Sequence, residues 1–204
     1  MQENEVIKIL QEELKFDNES IDKLKLFSKN LLAANQKHNL IAKSTEVDIW
    51  HRHILDSAQL VKFIKFDNGS LADLGSGAGF PGIILSIYNK NDNFHVKLYE
   101  KSPVKRDFLR KVAEKLNLSI TVLGNIYDEK LDSEVVVCRA FKKLDVIIQV
   151  SREISIKTHE LIILKGENAQ KDIDYSLKIK KYPYKLNRSM TNKESKIIIV
   201  QIQK

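Results

Sequence analysis

Residues 71–82 read Leu-Ala-Asp-Leu-Gly-Ser-Gly-Ala-Gly-Phe-Pro-Gly. A short apolar run, Leu71, Ala72 and Leu74, ends in glycines at alternate positions, Gly75, Gly77 and Gly79. A strand that stops in such a loop and turns into a helix is expected to leave backbone N–H groups unpaired. With no Cβ in the way, a ligand can also come to contact distance. Asp73, just before the first glycine, can reach a ligand's ammonium or order the loop.

Two ligand classes compete for a loop of this kind. Gly77, Gly79 and Gly82 satisfy G-x-G-x-x-G, the dinucleotide fingerprint. There the first glycine follows the strand directly, whereas here Gly75-Ser76 intervene and Pro81 suits the first helical turn. An acidic Asp73 would also repel a pyrophosphate. The pattern Asp-x-Gly-x-Gly-x-Gly therefore reads as a methyltransferase loop for S-adenosylmethionine. Glu100 follows Gly79 by 21 residues, at the end of the second predicted strand, where α/β cofactor domains place a ribose-binding carboxylate. Ile126 and Tyr127, after the third strand, are the expected walls of an adenine site.

The end of the fourth strand narrows the chemistry. Val137-Cys138-Arg139-Ala140-Phe141 lacks the Asn/Asp-Pro-Pro-aromatic turn of amino-group methylation and the Pro-Cys pair of ring-carbon methylation. Cys138 reads as a packed residue. A ring nitrogen such as guanine N7 suits these absences, because its lone pair is free at neutral pH and only in-line positioning is needed. Arg139 stays protonated and cannot be a base. It can bind the cofactor's carboxylate, a phosphate or guanine O6, and Lys165 at the next strand's end has the same range of roles. No metal is expected: His51 and His53 lie on different helix faces, while His53, Asp56 and Ser57 share one.

These residues need a frame. Apolar spacing predicts helices over 3–14, over 20–36 with Ser20 as cap, and from about 46 to 64 burying Val47, Trp50, Ile54, Ala58, Val61 and Ile64. Residues 1–66 thus form a helical cap packed on the core, and 67–204 a Rossmann-like domain. After the glycine loop come a helix to about Tyr88, a strand over 94–99, and a helix begun by Ser102-Pro103 that buries Val104, Phe108, Val112 and Leu116. Strands follow at 119–123, 134–138, 158–164, 177–186 and 195–203, with helices near 144–153 and 169–176. The fold class is α/β, a mostly parallel seven-stranded sheet with an antiparallel last strand.

The net charge of +7 is not evenly spread. Residues 1–65 hold ten basic and ten acidic side chains, so the excess lies in the cofactor-bearing part, as a polyanionic substrate would require. One dense stretch carries Lys101, Lys105, Arg106, Arg110 and Lys111. A second carries Lys178, Lys180, Lys181, Lys185 and Arg188, interleaved with Tyr182 and Tyr184, which could stack on bases. A single cysteine, an acidic N-terminus and no run of 18 apolar residues lead to the expectation of a cytoplasmic protein, taken here to be a monomer.

Six stretches combine into one pattern: His38-Asn39-Leu40, Arg52-His53-Ile54-Leu55-Asp56-Ser57, the loop from Asp73 to Gly82, Lys105-Arg106-Asp107-Phe108-Leu109, Arg139-Ala140-Phe141 and Leu164-Lys165-Gly166. With them the chain resembles the RsmG (glucose-inhibited division protein B) family of small-subunit ribosomal RNA guanine-N7 methyltransferases. The resemblance implies methyl transfer from S-adenosylmethionine to N7 of one guanosine in 16S ribosomal RNA. It also implies cofactor contacts at Gly75, Phe80, Ile126, Tyr127 and Arg139. The chain departs from the family at Ala78, where proline is common, and at Ile126-Tyr127, where an acid commonly stands second. Rival readings are a methyltransferase on another RNA or on a protein, and a ribosome-assembly RNA-binding factor with a vestigial cofactor pocket.

Overall fold

The computed structural model describes residues 1–139, 142–176 and 179–204, with Lys180 described by its backbone alone. Ala140 and Phe141 of the Arg-Ala-Phe stretch, Lys178, the Lys180 side chain and the first residues of the strand expected from 177 lie outside the described residues.

The sheet has seven strands: β1 (Gly69–Leu74), β2 (Phe94–Tyr99), β3 (Ile120–Leu123), β4 (Val135–Arg139), β5 (His159–Lys165), β6 (Tyr184–Arg188) and β7 (Lys196–Ile202). Their order is β3-β2-β1-β4-β5-β7-β6. The first five run parallel, and β7 is antiparallel to both its neighbours. Strands covered on both faces read as continuous apolar runs, which is why Leu71 to Leu74 and Val135 to Cys138 are buried throughout. The order reverses between β1 and β4, and the register sets Asp73 beside Leu98 and Val137, and Arg139 beside Leu164. Loops at the carboxyl ends of these strands therefore frame the crevice where ligands bind in open α/β sheets.

Helices α1 (Glu3–Glu12) and α2 (Asn18–His38) precede the sheet. Asp17, not Ser20, caps α2: its Oδ1 accepts from Ser20 N at 2.7 Å. Ser20 lies inside the helix and donates to the Ile87 carbonyl at 3.1 Å, docking α2 on the helix over Gly82–Tyr88. Either residue type caps well, so sequence alone does not choose between them. Asn39 ends α2 in the left-handed region at φ 45°.

The third helix departs most from expectation. Residues 43–48 form a 3-10 turn, Trp50–Leu55 a π-helix, Asp56–Ala58 a short α turn (α3), and Gln59–Lys62 another 3-10 turn. A π segment gains a residue per turn and rotates its faces away from the 3–4 pattern. Val47, expected inside, is 95% exposed, while Trp50, Ile54 and Ala58 are buried as expected. The glycine loop leads into α4 (Gly82–Tyr88). Beyond β2, α5 (Pro103–Lys115) buries Phe108, Leu109 and Val112, but Val104 in its first turn is exposed and the Ser102 side chain makes no capping bond. Helices α6 (Leu144–Ile154) and α7 (Ala169–Tyr175) complete the layers. One apolar cluster joins Val6, Leu24, Trp50 and Ile54 to Leu71, Val137 and Ile162, so residues 1–62 share a core with one face of the sheet. The other face packs Ala72, Val136 and Ile163 against α6. Among the described residues no helix is long and apolar enough to cross a membrane.

Candidate functional site

A cavity of about 520 Å³ opens at the carboxyl ends of β1, β4 and β5. Gly75, Gly77 and Phe80 from the glycine loop, Arg139 from β4 and Lys165 from β5 line it. So do residues that sequence patterns did not single out for the cofactor: Ile41 and Thr45 from the turn after α2, and Ser189, Ser195 and Lys196 around the β6–β7 connection. A polar hairpin tip carries no local signal that it lies across the sheet from a glycine loop.

The loop itself is not an open row of amides. Gly75 N and Ser76 N both donate to the Tyr99 carbonyl, at 2.8 and 3.0 Å. Gly79 N and Phe80 N donate to the Ser76 carbonyl, at 2.7 and 3.1 Å. Gly77 N donates to Glu100 Oε2 at 2.9 Å. Positive φ angles at Gly75 (73°), Gly77 (56°) and Gly79 (101°) turn the chain so that these amides point inward. Among the described residues every loop amide from Gly75 to Phe80 except that of Ala78 is therefore already paired, and a pyrophosphate would find no nest of glycine donors. A Cβ on Gly77 would meet only the Gly75 carbonyl, at 3.8 Å, so the space above it is open. A Cβ on Gly79 would lie 2.6 Å from Ile83 Cγ1, so Gly79 serves packing against α4 and does not face the cavity.

Asp73 orders the loop from beneath. It is fully buried, and its Oδ2 accepts from Gly82 N at 2.9 Å, tying the end of β1 to the start of α4. Its Oδ1 has no hydrogen-bond partner among the described residues. Burial pushes its carboxyl up to about 7, against the opposing pull of Gly82 N, Ser76 and Arg139. Glu100 is buried too, and holds the amides of Gly77 and Ser102 with its two oxygens, the latter at 2.8 Å. Ile126 is buried in the second cluster; Tyr127 is half exposed, and its hydroxyl accepts from Lys142 at 2.8 Å. Glu100, Ile126 and Tyr127 thus stand past the ends of β2 and β3, and none of the three lines this cavity.

Arg139 is the centre of a polar cluster. Its Nη2 donates to His53 Nδ1 at 2.8 Å, its Nη1 to the Arg52 carbonyl at 3.2 Å, and Asp56 Oδ2 lies 3.6 Å from Nη1. The guanidinium sits 4.9 Å from the centroid of the Phe80 ring, on which His53 also stacks at 5.0 Å. His53 Nε2 is 2.8 Å from Thr45 Oγ1. Burial first, then Arg139 and Arg52, lower the His53 imidazole to about 3, so it is neutral at ordinary pH. Lys165 pairs with Asp172 at 2.5 Å. Cys138 is fully buried and burial raises its thiol, which leaves no reactive thiolate there.

The two basic stretches lie at opposite edges of the sheet, one on α5 beside β2 and β3, the other on β6. Lys101, Arg110, Lys111, Lys181, Lys185 and Arg188 are exposed; Lys105 and Arg106 are half-buried. Arg106 donates to the carbonyls of Glu100 (2.9 Å) and Lys101 (2.7 Å), and Arg110 to that of Val122 (3.2 Å). Lys111 pairs with Asp107 at 2.7 Å.

A family model described as GidB, rRNA small subunit methyltransferase G, matches residues 20–196. The chain belongs to this family. Among curated relatives, the ribosomal RNA small subunit methyltransferase G of Pelagibacter ubique is 36% identical over 189 residues, covering 90% of this chain and 89% of its own. That of Rickettsia felis is 36% identical over 183 residues, covering 89% and 93%. Solved structures share the fold at much lower identity. An O-methyltransferase from Bacillus cereus, in complex with S-adenosylhomocysteine, superposes with a TM-score of 0.62 over 97% of each chain at 14% identity. A precorrin-6y C5,15-methyltransferase from Geobacter metallireducens gives 0.55 over 80% of this chain and 93% of its own, at 16% identity. This chain's fold is thus a mostly parallel, Rossmann-like sheet with residues 1–62 laid against one face.

Proposed function

We propose that the cleft binds S-adenosylmethionine and that the protein transfers its methyl group to N7 of a guanosine in 16S ribosomal RNA. The observation that carries this reading is the inward turn of the loop amides. A bed of glycine α-carbons with its N–H groups already used fits a cationic nucleoside and gives a pyrophosphate no nest of glycine amides. Gly75, Gly77 and Phe80 form that bed. Arg139 supplies the cation for the cofactor's carboxylate, Glu100 keeps lone pairs for ribose hydroxyls beyond its two backbone bonds, and Ile126 and Tyr127 stand beside the adenine.

Bound there, S-adenosylmethionine supplies an electrophilic methyl group on a sulfonium. The described side chains of the cleft supply no spare base. Both ring nitrogens of His53 are engaged, the Asp56 oxygens face Arg139, Gln59 and Thr191, and Lys165 is paired. An acceptor whose lone pair is free at neutral pH is the one such a site can serve, by positioning alone. Lys101, Lys105, Arg106, Arg110 and Lys111 at one edge, and Lys181, Lys185 and Arg188 at the other, hold the RNA backbone to either side. On this reading the protein works as a cytoplasmic monomer, residues 1–66 serving as a cap on the 67–204 domain.

The test is to incubate the protein with labelled cofactor and small-subunit particles that lack the modification, and to map the product. Label at N7 of one guanosine is expected. Label retained after the RNA is digested away would assign the acceptor to protein instead.

A further inference from the structure

Guanine and adenine both offer a nucleophilic N7, and they differ beside it (O6 against N6–H2) and on the opposite edge of the base. There guanine donates from N1 and N2, and adenine presents an acceptor at N1. A second hollow, of about 590 Å³, adjoins the cofactor cleft, and Arg52, Asp56, Gly166 and Ser195 line both. Its remaining walls come mainly from two loops: Glu167 and Asn168 after β5, and Thr191 and Asn192 between β6 and β7.

The hollow is built rather than left over between loops. Gln59, 1% exposed, donates to Ser189 Oγ at 3.1 Å and accepts from Met190 N at 2.8 Å. Thr191 Oγ1 donates to Asp56 Oδ1 at 2.8 Å. The β6–β7 loop is thereby clasped to the helical segment that carries His53. Over Gly166 there is room: an added Cβ would meet nothing within 4 Å.

Three carboxylates border this space, and their commitments differ. Asp56 serves Thr191, Gln59 and Arg139. Asp48 faces His51 at 3.5 Å and the N-terminal amine at 3.9 Å. Glu167, exposed and adjacent to Gly166, receives only a long hydrogen bond from Asn192 Nδ2, at 3.4 Å, among the described residues. A carboxylate in the walls of a protein of net charge +7 is poorly placed for a phosphate and well placed for two N–H donors in a row.

We propose that this hollow receives the target guanine over Gly166 and that Glu167 accepts from its N1–H and N2–H. The proposal rests on the methyl-transfer reading above and adds the residue that selects the base. The experiment compares unmodified small-subunit RNA carrying guanosine or inosine at the mapped target. Inosine keeps N7 but lacks the N2 amine. The wild type should lose roughly 10–100-fold in kcat/KM on inosine, the value of one hydrogen bond to a charged group. Glu167→Gln should be slow on guanosine and treat the two RNAs within about threefold of each other, with its melting temperature and its Kd for S-adenosylmethionine unchanged. A wild type indifferent to inosine, or a variant that keeps the full discrimination, overturns the role of Glu167 and leaves methyl transfer standing. A wild type that methylates neither RNA overturns the methyl-transfer reading and this one with it.

Discussion

Arg139 Nη2 donates to His53 Nδ1 at 2.8 Å, and both side chains cover one ring, that of Phe80. The bond needs a neutral imidazole, because a protonated one has no lone pair to offer. Burial and the two neighbouring arginines provide this by lowering His53 to about 3. With a folded value below the unfolded 6.5, the contribution of His53 to stability is complete above 6.5 and is lost as pH falls toward 3. His53→Phe keeps the stacking and removes the titration. Urea denaturation should show the variant weaker by about 1–3 kcal/mol at pH 8, since Arg139 and Thr45 lose a partner, yet with a flatter decline between about pH 6.5 and 4. An unchanged acid limb would mean that His53 does not set it.

Asp73 works in the opposite direction. Its folded value of about 7 exceeds the unfolded 3.8, so its contribution is complete below 3.8 and is lost as pH rises through 7. Between about pH 4 and 6.5 the two groups offset one another, and single variants should unmask each. Asp73→Asn should gain on the order of 2 kcal/mol relative to the wild type on going from about pH 4.5 to 8. The cost of an Asn Nδ2 placed where Oδ1 has no partner is the same at both pH values and cancels. Parallel stability curves for the two proteins would contradict the raised carboxyl.

Much of this was legible in the sequence, for physical reasons that can be named. Strands β4 and β5 are covered on both faces and carry the apolar runs Val135–Cys138 and Leu161–Leu164, β1 is apolar from Leu71 to Leu74 but for Asp73, and α5 repeats its apolar residues every four. The place of Glu100 follows from the length of a β-α-β unit. What could not be read depends on geometry that residue types leave open. Glycines permit positive φ, yet nothing in Gly-Ser-Gly-Ala-Gly says that the amides turn inward onto Tyr99 and Glu100. The 3-10 turn over Lys43–Asp48, which leaves Val47 outside, and the π turn over Trp50–Leu55 are too short to show a period of their own. Gln59 meets Ser189 and Met190 across 130 residues of chain, a pairing that local pattern cannot carry.

Gly77 and Gly82 separate the needs of the ligand from those of the fold. Gly77 has φ 56° and open space above it, so Gly77→Arg should cost only about 1–2 kcal/mol of backbone strain while its side chain occupies the cofactor cleft. Calorimetry should find S-adenosylmethionine binding abolished in a folded protein. At Gly82 a Cβ would lie 2.2 Å from Leu98 Cδ2 and 2.7 Å from Asp73 Oδ2. Gly82→Ala should therefore lower the melting temperature strongly, as overpacking costs roughly 1–3 kcal/mol or more. Unchanged cofactor affinity in Gly77→Arg would move the cofactor off this loop.

The two basic edges call for paired variants chosen by what each cation already does. Arg106 and Arg110 brace backbone carbonyls and Lys111 is paired with Asp107, so reversing them would mix lost structure with lost charge. Arg106→Glu in particular should loosen the turn that carries Glu100. Lys101→Glu with Lys105→Glu at the α5 edge, and Lys185→Glu with Arg188→Glu on β6, isolate the charge. Each pair should weaken RNA binding and make the dependence of log K on log salt shallower, by about one unit of slope for every phosphate no longer neutralised. The affinity for S-adenosylmethionine should stay as it was. Because the edges flank the β1–β4 crevice from opposite sides, RNA that spans the site must feel both pairs. A salt slope that moves for one pair alone would confine the backbone to that edge, and one that moves for neither would make both stretches simply solvated surface.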